Sequence, residues 1–208
     1  MGAGMPVWPG TAQPEFSEIS TIADDGFSER RLQFSSHTGT HLDAPAHIIE
    51  GGDTLDVLTP DRFFGKGVLV DLRHLEGAQI EAGIMLALAP KLMAAEFLLL
   101  QTGWCRYWGS EAYDSGFPVF STDAARWVAA SGLKGVGIDA SSFDTAETHE
   151  YPVHRILLGA GKLLVENLTG LDQLGQMDEE ADFWLSIFPL SICCAEACPV
   201  RAVAIVFP

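Results

Sequence analysis

His37, His41, Asp43 and His47 fall within eleven residues of the stretch SSHTGTHLDAPAH, all at odd positions, and they include half of the chain's six histidines. Two imidazoles and a carboxylate make a ligand set suited to Zn2+ or Mn2+. Three protein ligands leave a position open for water, as a catalytic centre requires. A structural zinc site is ordinarily closed by four ligands, often thiolates, and no cysteine lies near this stretch in sequence. The chemistry expected of such a centre is hydrolysis, because it lowers the pKa of water from ~15.7 toward ~7 and polarises a carbonyl. The chain has no GxSxG elbow to supply a serine nucleophile instead.

The backbone must bring these side chains together. A helix would project Asp43 away from His41, and Gly39 and Pro45 disfavour that helix. In a fully extended strand His37 and His41 would stand roughly 13 Å apart at ~3.3 Å per residue. The expectation is therefore a bent loop over HTGTHLDAP, with Gly39 supplying the unusual backbone angles and Pro45 ending regular structure.

The elements that could carry such a loop are short apolar runs: VLVDL at 68–72, FLLLQT at 97–102, GVGID at 135–139, KLLVE at 162–166, FWLSIF at 183–188 and RAVAIVF at 201–207. Most are almost continuously apolar, which suits strands covered on both faces in a layered α/β domain with a mixed sheet. Helices are expected at STDAARWVAASG, capped by Ser121 or Thr122 and closed by Gly132, and from about Glu81 to Met93, where Pro90 should break or kink it. Gly4, Pro6, Pro9, Gly10 and Pro14 predict an irregular arm over residues 1–30, before ERRLQFSSH begins a strand-like approach to the histidines. No shift in composition marks a boundary, so residues 1–208 are expected to form one domain.

Composition narrows the partners. Twelve Lys and Arg against 28 Asp and Glu give a formal charge of −16, which repels a phosphate backbone and argues against nucleic acid. The longest apolar window, GIMLALAPKLMAAEFLLL, is interrupted by Pro90, Lys91 and Glu96, so no membrane span is expected. Nothing at the N-terminus reads as a secretory signal, and a cytoplasmic location follows as the expectation. Cys105, Cys193, Cys194 and Cys198 match neither a zinc ribbon nor a redox CxxC pair and are expected to be buried thiols.

The stretch HTGTHLDAPAH resembles the HxGTHxDxPxH motif of the cyclase-like metal-dependent hydrolases, a family that includes bacterial kynurenine formamidases and isatin hydrolases. It matches at every specified position. VWPG at 7–10, QTGW at 101–104, GIDASSFD at 137–144 and HRILLGAGKLLVENLTGL at 154–171 extend the resemblance over much of the chain. The resemblance implies that His37, His41 and Asp43 bind a first metal and that His47 is a general acid/base beside it. It further implies that His154 and Glu166 complete a second site, with Asp43 and Glu166 bridging. PVHRILLG as a short helix after Pro152 and KLLVE as a strand ending in Glu166 would place that pair. The carboxylate at Glu166, where isatin-hydrolase-like members carry an amide, favours two zinc ions over one manganese. The implied fold is a swivelling β/β/α arrangement, assembled as a homodimer or tetramer through the N-terminal arm.

The expected activity is cleavage of the C–N bond of an amide, foremost an aryl-formamide such as N-formylkynurenine, a tryptophan catabolite. Ring opening of a cyclic amide or lactone is the alternative. Trp8, Phe16, Trp104 and Phe117 could line a pocket for an aryl group, and Trp8 sits in the family's substrate-side segment. Asp139, Ser142 and Asp144 could form turns, or orient a metal-binding histidine from behind. A binding protein that keeps the metal without turnover is the non-enzymatic rival.

Overall fold

The computed structural model describes residues 1–75, 79–176 and 183–206. After a turn-rich start, β1 (Glu15–Ser20) pairs antiparallel with β2 (Glu29–Gln33) around a single helical turn, α1 (Ile22–Asp25). The N-terminal arm is thus partly a regular hairpin rather than irregular throughout. Thr21 caps α1 by accepting from the Asp24 amide, and Gly26 closes it in the left-handed region. Ile19, Ile22, Phe27 and Leu32 are exposed on this hairpin.

The chain then enters an eight-stranded, curled mixed sheet. Its strands are β3 (His41–Asp43), β4 (Phe64–Asp71), β5 (Phe97–Gln101), β6 (Gly135–Ile138), β7 (Leu163–Glu166), β8 (Phe183–Ser186), β9 (Ala197–Pro199) and β10 (Val203–Val206), in the spatial order β10-β8-β4-β5-β6-β7-β3-β9. The central four, β4 to β7, run parallel; β8 and β10 on one side and β3 and β9 on the other are antiparallel. All six strands expected from apolar runs are present, although Phe207 of the last lies outside the described residues.

Their continuous hydrophobicity has the expected cause. Along β5, Leu98 and Leu100 pack into a core with α2 (Ala82–Leu92), α3 (Thr122–Ala130) and α4 (Pro152–Gly159). Phe97 and Leu99 face a second core with Leu42, Phe63, Leu163, Val165 and Phe183. Each buried Leu or Phe contributes about 1.5–3 kcal/mol through this two-sided coverage. β4 and β8 pair closely because Gly67 leaves room for the Phe183 ring, which a Cβ at that position would strike.

One helix end differs from the sequence expectation. Ser121 caps α3 by accepting from the Ala124 amide, as expected, but the other end closes at Ser131. Its hydroxyl donates to the Val128 carbonyl, so Gly132 is not the stop. Pro90 lies inside α2 without breaking it, and the helix runs on to Leu92; Leu86, whose carbonyl loses its usual partner to the proline, is an exposed residue. A short helix, α5 (Leu171–Gly175), follows β7. Among the described residues no helix is long and apolar enough to cross a membrane.

Candidate metal centre

The histidine stretch is half loop and half strand. Residues 36–40 turn, with Gly39 at φ +65°, and the chain then straightens into β3 rather than staying a loop through Asp43. β3 lies between β7 and β9, with His41 opposite both Glu166 and Pro199. Two residues apart on one strand, His41 and Asp43 share a face, while Leu42 points into the core behind. Asn167 ties the turn down: its side-chain amide donates to the Gly39 carbonyl, and its own carbonyl accepts from the Thr40 hydroxyl at 2.6 Å. Pro45 opens a 3-10 turn over Pro45–His47 that swings His47 back, to 4.2 Å between its ring centre and that of His37.

His154 and Glu166 arrive as the resemblance implies. Pro152 begins α4, and β7 ends on Glu166. The side chain that caps α4 comes from Asp144, eight residues upstream of Pro152. Its carboxylate accepts from the backbone amides of Val153 and His154, both at 2.9 Å, and sits 2.7 Å from His154 Nδ1. A carboxylate beside those amides is an acceptor, so Nδ1 is the protonated nitrogen and Nε2 faces the cluster. The same logic orients His41, whose Nδ1 lies 2.8 Å from the Gly39 carbonyl. Of the two roles considered for GIDASSFD, Asp144 orients a histidine from behind. Asp139 instead organises a turn, accepting from Thr102 and Gly103. Replacing Asp144 with Asn should lower metal affinity by about 10–100-fold, read by competition against a chelator, while an unchanged affinity would remove Asp144 from this role.

The groups converge. Asp43 Oδ1 is 3.0 Å from His37 Nδ1 and 3.4 Å from His41 Nε2; Glu166 reaches His41 Nε2 at 3.4 Å and His154 Nε2 at 3.2 Å; Asp43 Oδ2 lies 3.9 Å from His154 Nε2. His37 Nε2 is 3.6 Å from Glu196, whose carboxylate also accepts from the Ser36 hydroxyl. Glu196 had no signal in the sequence, since only the docking of β9 against β3 brings it near.

Electrostatics follow from this crowding. Burial disfavours charge on His41, but Asp43 and Glu166 outweigh it and raise its pKa to about 9. For His154 burial is again outweighed, here by Asp144 and Glu166, and the pKa rises to about 10. Burial pushes Asp43 and Glu166 upward, yet the imidazoles around them hold both below the ordinary carboxylate range. His47, half-buried and chiefly desolvated, is shifted downward.

His41 Nε2 and both Asp43 oxygens are buried and make no hydrogen bond among the described residues. Orphaned polar atoms of this kind are costly unless something completes them. The ligand atoms of His37, His41 and Asp43 lie within 4.8 Å of one another, as do those of Asp43, His47 and His154. Nitrogen and oxygen donors in this number fit a divalent transition metal.

The cluster floors a cleft of about 430 Å3. Trp8 lines it, as the sequence suggested, together with Ile48, Trp108, Tyr113 and Tyr151. Phe16, Trp104 and Phe117 do not: Phe16 lies on the hairpin, Phe117 is core, and Trp104 packs against that core while its indole donates to the Tyr113 carbonyl. The cysteines also depart from expectation, because Cys193 and Cys194 are exposed and only Cys198 is fully buried.

Known proteins share this architecture. The family model described as "Putative cyclase" matches residues 1–145. The kynurenine formamidase of Erythrobacter litoralis is 30% identical, with 96% of this chain and 88% of that protein aligned. A structure described as a predicted metal-dependent hydrolase from Bacillus stearothermophilus superposes with a TM-score of 0.78 at 29% identity, covering 98% of this chain and 93% of the other. Isatin hydrolase A from Labrenzia aggregata, at 24% identity over 96% of this chain and 87% of its own, shares the fold with a TM-score of 0.81.

Proposed function

This chain belongs to the cyclase family, and from that premise we propose that it is a metal-dependent hydrolase cleaving the C–N bond of an aryl-formamide such as N-formylkynurenine. The observation that carries the reading is the convergence of His41 Nε2, both Asp43 oxygens and Glu166 at the floor of an aromatic-lined cleft. His37, His41 and Asp43 would hold one cation and His154 and Glu166, with Asp43, a second; zinc suits these donors best, and manganese is the alternative. When bound, such a cation supplies acidified water and charge that offsets an oxyanion.

The chain's own residues do the rest. Asp144 and the Gly39 carbonyl fix the rings of His154 and His41, so the nitrogens facing the cleft carry lone pairs once their protons leave. His47 makes no hydrogen bond that would commit its ring elsewhere among the described residues, and burial favours its neutral form. These features support His47 as the group that would take a proton at one end of the reaction and return it to the departing nitrogen. Trp8 and Trp108 line the cleft and supply apolar surface against which an aryl group can pack.

The test is turnover of zinc- and manganese-loaded protein on N-formylkynurenine, isatin and a small panel of amides and lactones. Metal-dependent formate release is the expected result. Preferential ring opening would move the substrate class, and tight metal binding without turnover on any of them would overturn the enzymatic reading in favour of a binding protein.

A further inference from the structure

Away from the cleft, Asp56, Cys193 and Cys194 bring a carboxylate and two thiols within 4.8 Å of one another on the surface. We propose that these three residues form a separate, sulfur-based cation site that takes a thiophilic divalent d10 cation of the zinc and cadmium class.

Neighbouring side chains on an extended chain point to opposite sides. Cys193 and Cys194 escape that rule because Cys194 sits at φ +59°, a left-handed conformation uncommon for a residue with a Cβ, and the two Sγ atoms end 3.5 Å apart. Two thiolates on one tetrahedral cation at ~2.3 Å each stand ~3.8 Å from one another, so chelation asks for only a small opening of the pair. The strained conformation therefore has a use: it presets the bite of a bidentate ligand.

Asp56 is held in place independently. Its Oδ1 accepts from the Thr54 hydroxyl at 2.6 Å and from the Cys194 amide at 3.1 Å. The two segments are further joined where the Leu55 amide donates to the Ala195 carbonyl at 2.8 Å. The ligands thus come from two chain segments already fastened together, which lowers the ordering cost of binding. Two sulfurs and one oxygen select soft cations over Mg2+ and Ca2+, and the net charge of −16 raises the local concentration of any cation. No cysteine lines the cleft, so this site stands apart from the proposed catalytic one.

Cadmium is the probe, because a thiolate bound to it gives a charge-transfer absorbance that nitrogen and oxygen ligands do not. The full chain, pre-loaded with zinc and kept reduced with a non-thiol reductant, is titrated with Cd2+. The expected result is an absorbance rise that saturates at one cadmium per chain, is lost in both Cys193→Ser and Cys194→Ser, and needs more cadmium in Asp56→Ala. Unchanged thermal unfolding of the serine variants confirms that the loss is not a folding failure, as expected for exposed side chains. Absence of the rise in the unaltered protein would overturn the proposal, as would a rise that survives in either serine variant.

Discussion

Replacing Asp43 with Asn should leave a folded protein that no longer retains metal and no longer turns substrate over. Asp43 belongs to both groups of ligand atoms, with His37 and His41 on one side and with His47 and His154 on the other. The substitution keeps the volume of the side chain and removes its charge, so β3 should hold its place between β7 and β9. Loss of a partner behind a ligand costs about 10–100-fold in affinity, and loss of a ligand shared by two groups is expected to exceed about 10³-fold. Elemental analysis after dialysis and a turnover assay read the two consequences separately. A variant that kept its metal through dialysis would remove Asp43 from the centre.

His47→Ala is expected to separate what Asp43→Asn removes together. His47 stands beside His37, with ring centres 4.2 Å apart, and 6.0 Å from the ring of His154. As the proton carrier it should contribute about 10²–10⁴-fold in rate, and its loss should leave metal content unchanged. The structure makes this a sharp test, because one His47 ring nitrogen also lies within 4.8 Å of ligand atoms of Asp43 and His154. If metal leaves with the imidazole, His47 is a ligand and the acid/base must be sought elsewhere. If metal stays and full turnover stays with it, His47 has neither role.

Why the strands were legible and parts of the site were not comes down to distance along the chain. Leu98 and Leu100 meet one core and Phe97 and Leu99 the other, so a run apolar at every position was the correct signature of two-sided burial. His37, His41 and Asp43 could be singled out because they lie within seven residues of one another. Asp144 could not be assigned in the same way. A carboxylate before a proline-started helix is a capping signal, but here a loop separates the two, and only the fold returns Asp144 to the first turn of α4. Glu196 depends on the pairing of β3 with β9, and Trp108 and Tyr151 on how their loops meet over the cleft. Of the aromatic residues chosen from the sequence Trp8 reaches the cleft, whereas Phe117 is taken up in the core and Trp104 packs against it.

The wedge position of β3 has a consequence for the order of assembly. A three-residue strand cannot persist without neighbours, and both of its neighbours, at residues 163–166 and 197–199, lie far along the chain. Closing those long loops comes before any contact they reward. A nascent polypeptide that has already presented His37, His41 and Asp43 therefore has no finished cage to offer an ion until its last third has emerged and docked. Capture of metal would then mark completion of the fold, and the early histidines would be kept from scavenging cations while the chain is still being made.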